Sequence, residues 1–198
     1  MKLLSYFSGT SNSYIIGQDD GGEAILVDPD KLDVVLLGLI EANNFDITTA
    51  LVTHSHERYI RGLRILKRVY NIRIISGYEE IGDFKSEFAG VGDRIEASGI
   101  GIETLNLEEW LAEGRIFRIG NLLFTGNILS AGYIEDSIPP EKRTLLIDDI
   151  QKKIMAISEE LLILPSCGPP STISAELRWN PCFQPQRQTC AVKPNTLL

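Results

Sequence analysis

Histidine and cysteine are both scarce in this 198-residue chain, with two of the first and three of the second. Three cysteines cannot staple a small disulfide scaffold, and an odd set leaves at least one thiol over. Cys167, Cys182 and Cys190 are therefore expected as free thiols in a reducing cytoplasm, with a Cys182–Cys190 bridge left open. Long apolar runs are also missing, and none approaches the ~20 residues that span a bilayer. The opening MKLLSYFSGTSNSY carries one lysine and almost no apolar stretch, which is not the pattern of a signal peptide. No membrane association is expected. Positive charge is short too. A net charge of -8 argues against nucleic-acid partners, which demand clustered Lys and Arg. The one basic cluster, Arg58, Arg61, Arg64, Lys67 and Arg68, falls on a predicted helix and reads as a solvated face.

The hydrophobic share of 43% and charged share of 23% match globular averages, so a packed core is expected rather than disorder. The length suits a single domain over residues 1–198, ending in an irregular Pro/Gln-rich tail over about 183–198.

Periodicity gives the elements. Residues 2–7, 13–17 and 23–27 read as short strands parted by polar turns. Asp28-Pro29-Asp30 then prepares a helix over 31–43, with Leu32, Val35, Leu36, Leu39 and Ile40 on one stripe. A buried-type strand over 47–52 runs into a loop, then a helix over 60–70 and a strand over 72–76, a β-α-β unit. Residues 79–111 carry no clear period. A hairpin over 115–119 and 122–125 follows, then a helix from Pro139-Pro140 to about 157, a strand over 161–164 and a short helix over 171–177. Strands, β-α-β, strands and α-β-α fit two facing sheets with helices outside, an α/β class.

The loop after the fourth strand holds both histidines. In extended backbone, His54 and His56 point to the same side, so both imidazoles can face one point. Such a pair supplies two of the nitrogen ligands that zinc takes at ~2.0–2.1 Å. They can equally be hydrogen-bonded loop residues.

Thr53-His54-Ser55-His56-Glu57-Arg58-Tyr59-Ile60-Arg61-Gly62-Leu63 resembles the T-H-x-H-x-D-H-x-x-G-L signature of the metallo-β-lactamase superfamily. Asn12-Ser13-Tyr14 and Ala24-Ile25-Leu26-Val27-Asp28-Pro29 resemble its opening strands. Gly120-Asn121-Leu122-Leu123-Phe124-Thr125-Gly126-Asn127 is similar to its G-x-x-L-F-T-G-D. Leu164-Pro165-Ser166-Cys167-Gly168-Pro169-Pro170 is similar to its L-P-G-H-G-P-P, and Arg178-Trp179-Asn180-Pro181 to the R-x-N-P ending of the glyoxalase-II-like branch. The resemblance implies the four-layer αββα sandwich and metal-dependent hydrolysis of thioesters, lactams or related bonds.

The ligand set implied by that family is five histidines and two aspartates. His54 and His56 match it. Arg58 stands for an aspartate and Tyr59 for a histidine, Asn127 for the bridging aspartate and Cys167 for the last histidine. An ungapped count back from Phe124-Thr125-Gly126 sets Trp110 against another histidine. Arg cannot coordinate and brings a cation. Two unit charges ~4 Å apart repel by roughly 4 kcal/mol at an effective dielectric of 20, and a dication doubles this. The expectation is no cofactor or, at most, one Zn, Fe or Mn ion on His54 and His56 with Cys167 as third donor. Asp28 is expected to hydrogen-bond the histidine loop from behind the site.

Three functions follow as expectations. The first is a non-catalytic ligand-binding or interaction protein whose dinuclear site has been dismantled, with Arg58 offering a site to an anion or small molecule. The second is a single-metal thioester or ester hydrolase. The third is a homo-oligomeric scaffold docking through the tail.

Overall fold

The computed structural model describes residues 1–105, 107, 114–135 and 139–184. Trp110 and most of the tail lie outside them.

The chain opens with an antiparallel meander, β1 (Lys2–Phe7), β2 (Asn12–Gly17) and β3 (Gly22–Val27). Helix α1 (Val34–Ala42) leads to β4 (Phe45–Val52), and helix α2 (Glu57–Val69) leads to β5 (Arg73–Ser76). Short strands β6 (Glu80–Ile81) and β7 (Phe84–Lys85) pair with each other, and β8 (Glu87–Phe88) joins β5. Then come β9 (Arg94–Ala97), β10 (Ile100–Leu105), β11 (Ile116–Ile119) and β12 (Leu122–Gly126). A small hairpin, β13 (Leu129–Ser130) with β14 (Tyr133–Ile134), precedes α3 (Pro140–Ile150). Strands β15 (Leu162–Pro165) and β16 (Ser171–Thr172) and helix α4 (Ile173–Trp179) follow.

Two six-stranded sheets result, in the orders β1-β2-β3-β4-β5-β8 and β16-β15-β12-β11-β10-β9. Alternation of side chains sorts the core into layers. Tyr14, Ile16, Ile25, Val27 and Leu51 face Phe117, Ile119, Phe124 and Leu164 between the sheets. Their strand neighbours Ile15, Leu26, Ile47 and Val52 point the other way, onto Leu36 and Ile40 of α1 and Leu63 and Leu66 of α2. Across the molecule, Ile116, Leu123 and Ile163 pack on Leu146 and Ile150 of α3 and Ile173 of α4. Helix, sheet, sheet, helix is the αββα sandwich. No helix among the described residues is long and apolar enough to cross a membrane.

Several boundaries differ from the sequence expectation. Helix α1 starts at Val34 because Asp33 caps it, accepting from Val35 N and Leu36 N. Asp28 and Asp30, the expected caps, are committed elsewhere: Thr53 and Ser166 donate to Asp28, and Ser8, Thr10 and Ser11 to Asp30. Helix α2 begins at Glu57, earlier than expected, because the His56 side chain accepts from Arg58 N as N-cap. The helix after Pro139 is α-helical to Ile150 and then widens into a π turn over Gln151–Met155. Residues 171–172 form a strand before α4 rather than its first turn. Cys182 is disulfide-bonded, where free thiols are the simpler expectation and a bridge at Cys182 stays open, and Cys167 is not part of a disulfide.

Gly62 allows the closest crossing. A Cβ at this position would lie 1.9 Å from the Pro29 carbonyl oxygen, so α2 rests directly on the chain leaving β3. That contact fixes the start of α2, and with it the histidine loop.

Candidate functional site

Strands β3 and β4 run parallel, as do β12 and β15, and the loops that follow all four are bonded together. Asp28 is the centre of this knot. It adopts a left-handed backbone (φ +50°) and is 1% exposed. Its Oδ1 accepts from Thr53 N at 2.8 Å, Thr53 Oγ1 reaches Oδ2 at 2.8 Å, and the Ser166 hydroxyl donates to Oδ2 from the opposite sheet. Ser166 N donates to Gly126 O (2.9 Å), and Asn12 N donates to Ser166 O (2.8 Å). Asn12 Nδ2 holds the carbonyls of Pro165 (2.9 Å) and Gly168 (2.8 Å). Burial pushes the Asp28 carboxyl up, opposed by the nearby His54 and by the donors from Ser166 and Thr53.

His54 hangs from this knot. Because the Thr53 hydroxyl donates to Asp28, its oxygen is left to accept from His54 Nδ1 at 2.9 Å. That assignment makes Nδ1 the protonated nitrogen and leaves a lone pair on Nε2. Asn127 Nδ2 meets this nitrogen at 3.1 Å. The Asn127 Oδ1 is buried and has no hydrogen-bond partner among the described residues. Burial is the main force lowering the His54 pKa, helped by His56 and Arg58 and opposed by Asp28.

His56 is held by Arg58. Its Nδ1 accepts from Arg58 N and Arg58 Nε, both at 3.2 Å, and Arg58 Nη2 lies 3.3 Å from His56 Nε2. The guanidinium thus lies along the ring, bonded to Nδ1 and in contact with Nε2, which carries the proton when Nδ1 accepts. Burial first, and the Arg58 cation next, lower the His56 pKa.

Tyr59, 1% exposed, packs its ring against both histidines, 5.1 Å from His54 and 6.0 Å from His56 between centroids. Burial and the neighbouring Asp28 push its phenol far up, so it is a neutral wall at ordinary pH. Two imidazoles on a common tetrahedral zinc would bring their centroids to roughly 5 Å, given nitrogen–zinc distances of ~2.0–2.1 Å. His54 and His56 stand 6.3 Å apart and nearly perpendicular, at 84°.

Arg58 also lines a cleft of about 710 Å³. One wall is the β1–β2 turn (Phe7, Gly9, Thr10, Asn12), and the other is the loop after β15 (Cys167, Gly168, Pro169, Pro170). The structure thus gathers Asp28, His54, His56, Arg58, Tyr59, Asn127 and Cys167 around linked loops at one end of the sandwich. Cys167 does not complete a donor group with the histidines: among the described residues no set of three or more His, Cys, Asp and Glu could hold a metal ion. Trp110 lies outside the described residues. Glu57 is exposed. A second hollow of about 440 Å³ lies over β9–β11, where Glu103 bridges Arg94 and Arg118 as a solvated ion-pair network.

Thr53, Ser166 and Asn12 are the residues whose roles sequence reasoning missed. Each stands beside a motif position, and small hydroxyl and amide side chains give no chemical signal until their partners are known.

An αββα sandwich with a paired-histidine loop at the end of β4 defines a class, and the sequence comparison places the chain in it. Residues 7–121 match the family model of the metallo-beta-lactamase superfamily, and the chain belongs to that superfamily. It is related in sequence to hydrolases. A hydroxyacylglutathione hydrolase of Haemophilus ducreyi is 30% identical over 134 residues, which is 67% of this chain and 57% of the hydrolase. The chain thus spans little more than half the length of that relative. ETHE1 from Myxococcus xanthus superposes with a TM-score of 0.75 at 18% identity, covering 91% of this chain and 84% of its own. TTHA1623, solved in a di-iron-bound form, superposes with a TM-score of 0.69 at 17% identity, covering 91% and 99%. At such identities the structural likenesses establish the fold alone.

Proposed function

We propose that this chain uses the metallo-β-lactamase fold as a metal-independent, non-catalytic ligand-binding or interaction protein. The observation that carries the reading is the Arg58 guanidinium along the His56 ring, bonded to Nδ1 and in contact with Nε2. A cation that cannot lose its proton stands where a metal would need a lone pair and an anionic ligand. The perpendicular, widely spaced imidazoles and the Asn127 amide on His54 Nε2 support it. Among the described residues the donors present do not fit a family metal. Elemental analysis of protein purified from metal-replete medium tests this: well under one equivalent of zinc, iron and manganese is expected. One or more tightly held equivalents would overturn the reading.

A second reading is a thioester or ester hydrolase with a single ion on His54 and His56. The relation to hydroxyacylglutathione hydrolases supports it, as does the unpartnered Asn127 Oδ1, which a half-turn of the amide would aim at His54. It requires metal-stimulated thioester turnover that His54→Ala abolishes. A thioester panel with added metals that never rises above blank removes it.

A further inference from the structure

We infer that the cleft in front of Arg58 binds a small organic carboxylate, its anionic head on the guanidinium and its apolar body between Phe7 and the Pro169-Pro170 pair. This rests on the metal-independent reading and names the ligand class for it.

The first support is the state of the guanidinium. Arg58 spends Nε on His56 Nδ1, Nη2 lies 3.3 Å from the ring's other nitrogen, which carries the proton, and Nη1 makes no hydrogen bond among the described residues. The Nη1–Nη2 edge therefore remains for a planar, two-oxygen acceptor, the geometry in which guanidinium and carboxylate pair best. His56 offers no compensating negative charge, since an imidazole side chain is neutral or cationic.

The surrounding charges set the valence. Asp30 is the carboxylate that feels Arg58, but it forms no ion pair with it among the described residues, and its Oδ2 accepts from Ser8, Thr10 and Ser11. Arg61 and Glu57 act on His56 with opposite signs, and Glu135 acts on His54. Arg58 is the charged side chain that lines the cleft among the described residues. One cation in a chain of net charge -8 suits a monoanion and leaves a phosphate dianion undercompensated.

The walls set the rest of the ligand. Asn12 Nδ2 is committed to Pro165 and Gly168, and Thr10 Oγ1 to Asp30, so two of the polar neighbours are already engaged. Phe7, 66% exposed, and the two prolines present apolar surface across a cleft large enough for a small molecule.

Sodium phenylacetate is a suitable probe, with phenylacetamide as its neutral match and inorganic phosphate as the dianion. Each is titrated into the full, isotopically labelled chain while the Arg58 Nε–H and Gly168 amide resonances are followed. Phenylacetate should give saturable shifts at both. Phenylacetamide on the native chain and phenylacetate on Arg58→Gln should each bind weaker by roughly ten-fold or more. Phe7→Ala, at an exposed position, should weaken phenylacetate by a few-fold. The proposal is overturned by absence of saturable shifts, by equal binding of the amide, by tighter binding of phosphate, or by indifference to both substitutions. Metal content is measured on the same sample. Bound metal sinks the metal-independent reading, whereas a metal-free chain that ignores phenylacetate sinks only the carboxylate.

Discussion

Tyr6 and Asp33 form a charge-assisted pair, Tyr6 Oη donating to Asp33 Oδ2 at 2.6 Å. That bond, with the Leu36 amide next, lowers Asp33 from 3.8 to about 2. Burial first, then Asp33, raises Tyr6 from 10.0 to about 12. For a carboxyl with a folded pKa below its unfolded value, the stabilisation is complete above the unfolded pKa and is lost as pH falls through the folded one. Asp33 should therefore cost the fold stability as pH drops from about 4 to about 2. Tyr6 acts at the other end, its contribution fading between pH 10 and about 12. Urea midpoints at the two acid pH values should converge in Asp33→Asn, which can still cap α1. An unchanged difference between the midpoints would mean another carboxyl sets the slope. Arg58 shows the same logic in the site: burial first, and then the fixed cation bonded to Nδ1, lower the His56 pKa.

Helices α1 and α2 each carry one glycine, and the two have opposite reasons to be there. Gly62 sits where an added Cβ would meet backbone, 1.9 Å from Pro29 O, whereas Gly38 has nothing within 4 Å. Gly62→Ala should lose on the order of 3 kcal/mol or more, because neither backbone can yield cheaply. Gly38→Ala should gain about 0.5–1 kcal/mol from helix propensity. Urea unfolding of both, side by side, checks the sign as well as the size. At this scale the sequence was most informative where apolar spacing was long. The β2–β5 strands and helix α2 were all legible. The stretch from β6 to β8 was not, since strands of two residues are too short to show a period. The β9–β10 turn did leave a trace in Ser98-Gly99, both at positive φ as a two-residue hairpin requires. The site divided in the same way. His54, His56 and Arg58 could be placed from the motif alone. The direction of the Arg58 side chain could not, because it turns back onto the His56 ring, a choice the motif does not encode.

Across the whole molecule, the two sheets meet mainly through apolar packing, and at the site end Asp28 of the first accepts from Ser166 of the second. Asp28→Asn keeps the size and tolerates the positive φ, but it exchanges acceptors for donors facing Thr53 and Ser166. A loss of about 1–3 kcal/mol is expected in urea unfolding, with an unchanged denaturant slope because the same surface is exposed. A loss below the error of the measurement would mean that the knot contributes little to holding the sheets together.

Because that knot is tied entirely by protein atoms, the loops around the cleft have moorings of their own. Side chains at Arg58, Tyr59, Asn127 and Cys167 can then be exchanged as fittings are in a standing frame. The histidine end of this fold is a receptacle whose rim is moored independently of whatever it holds.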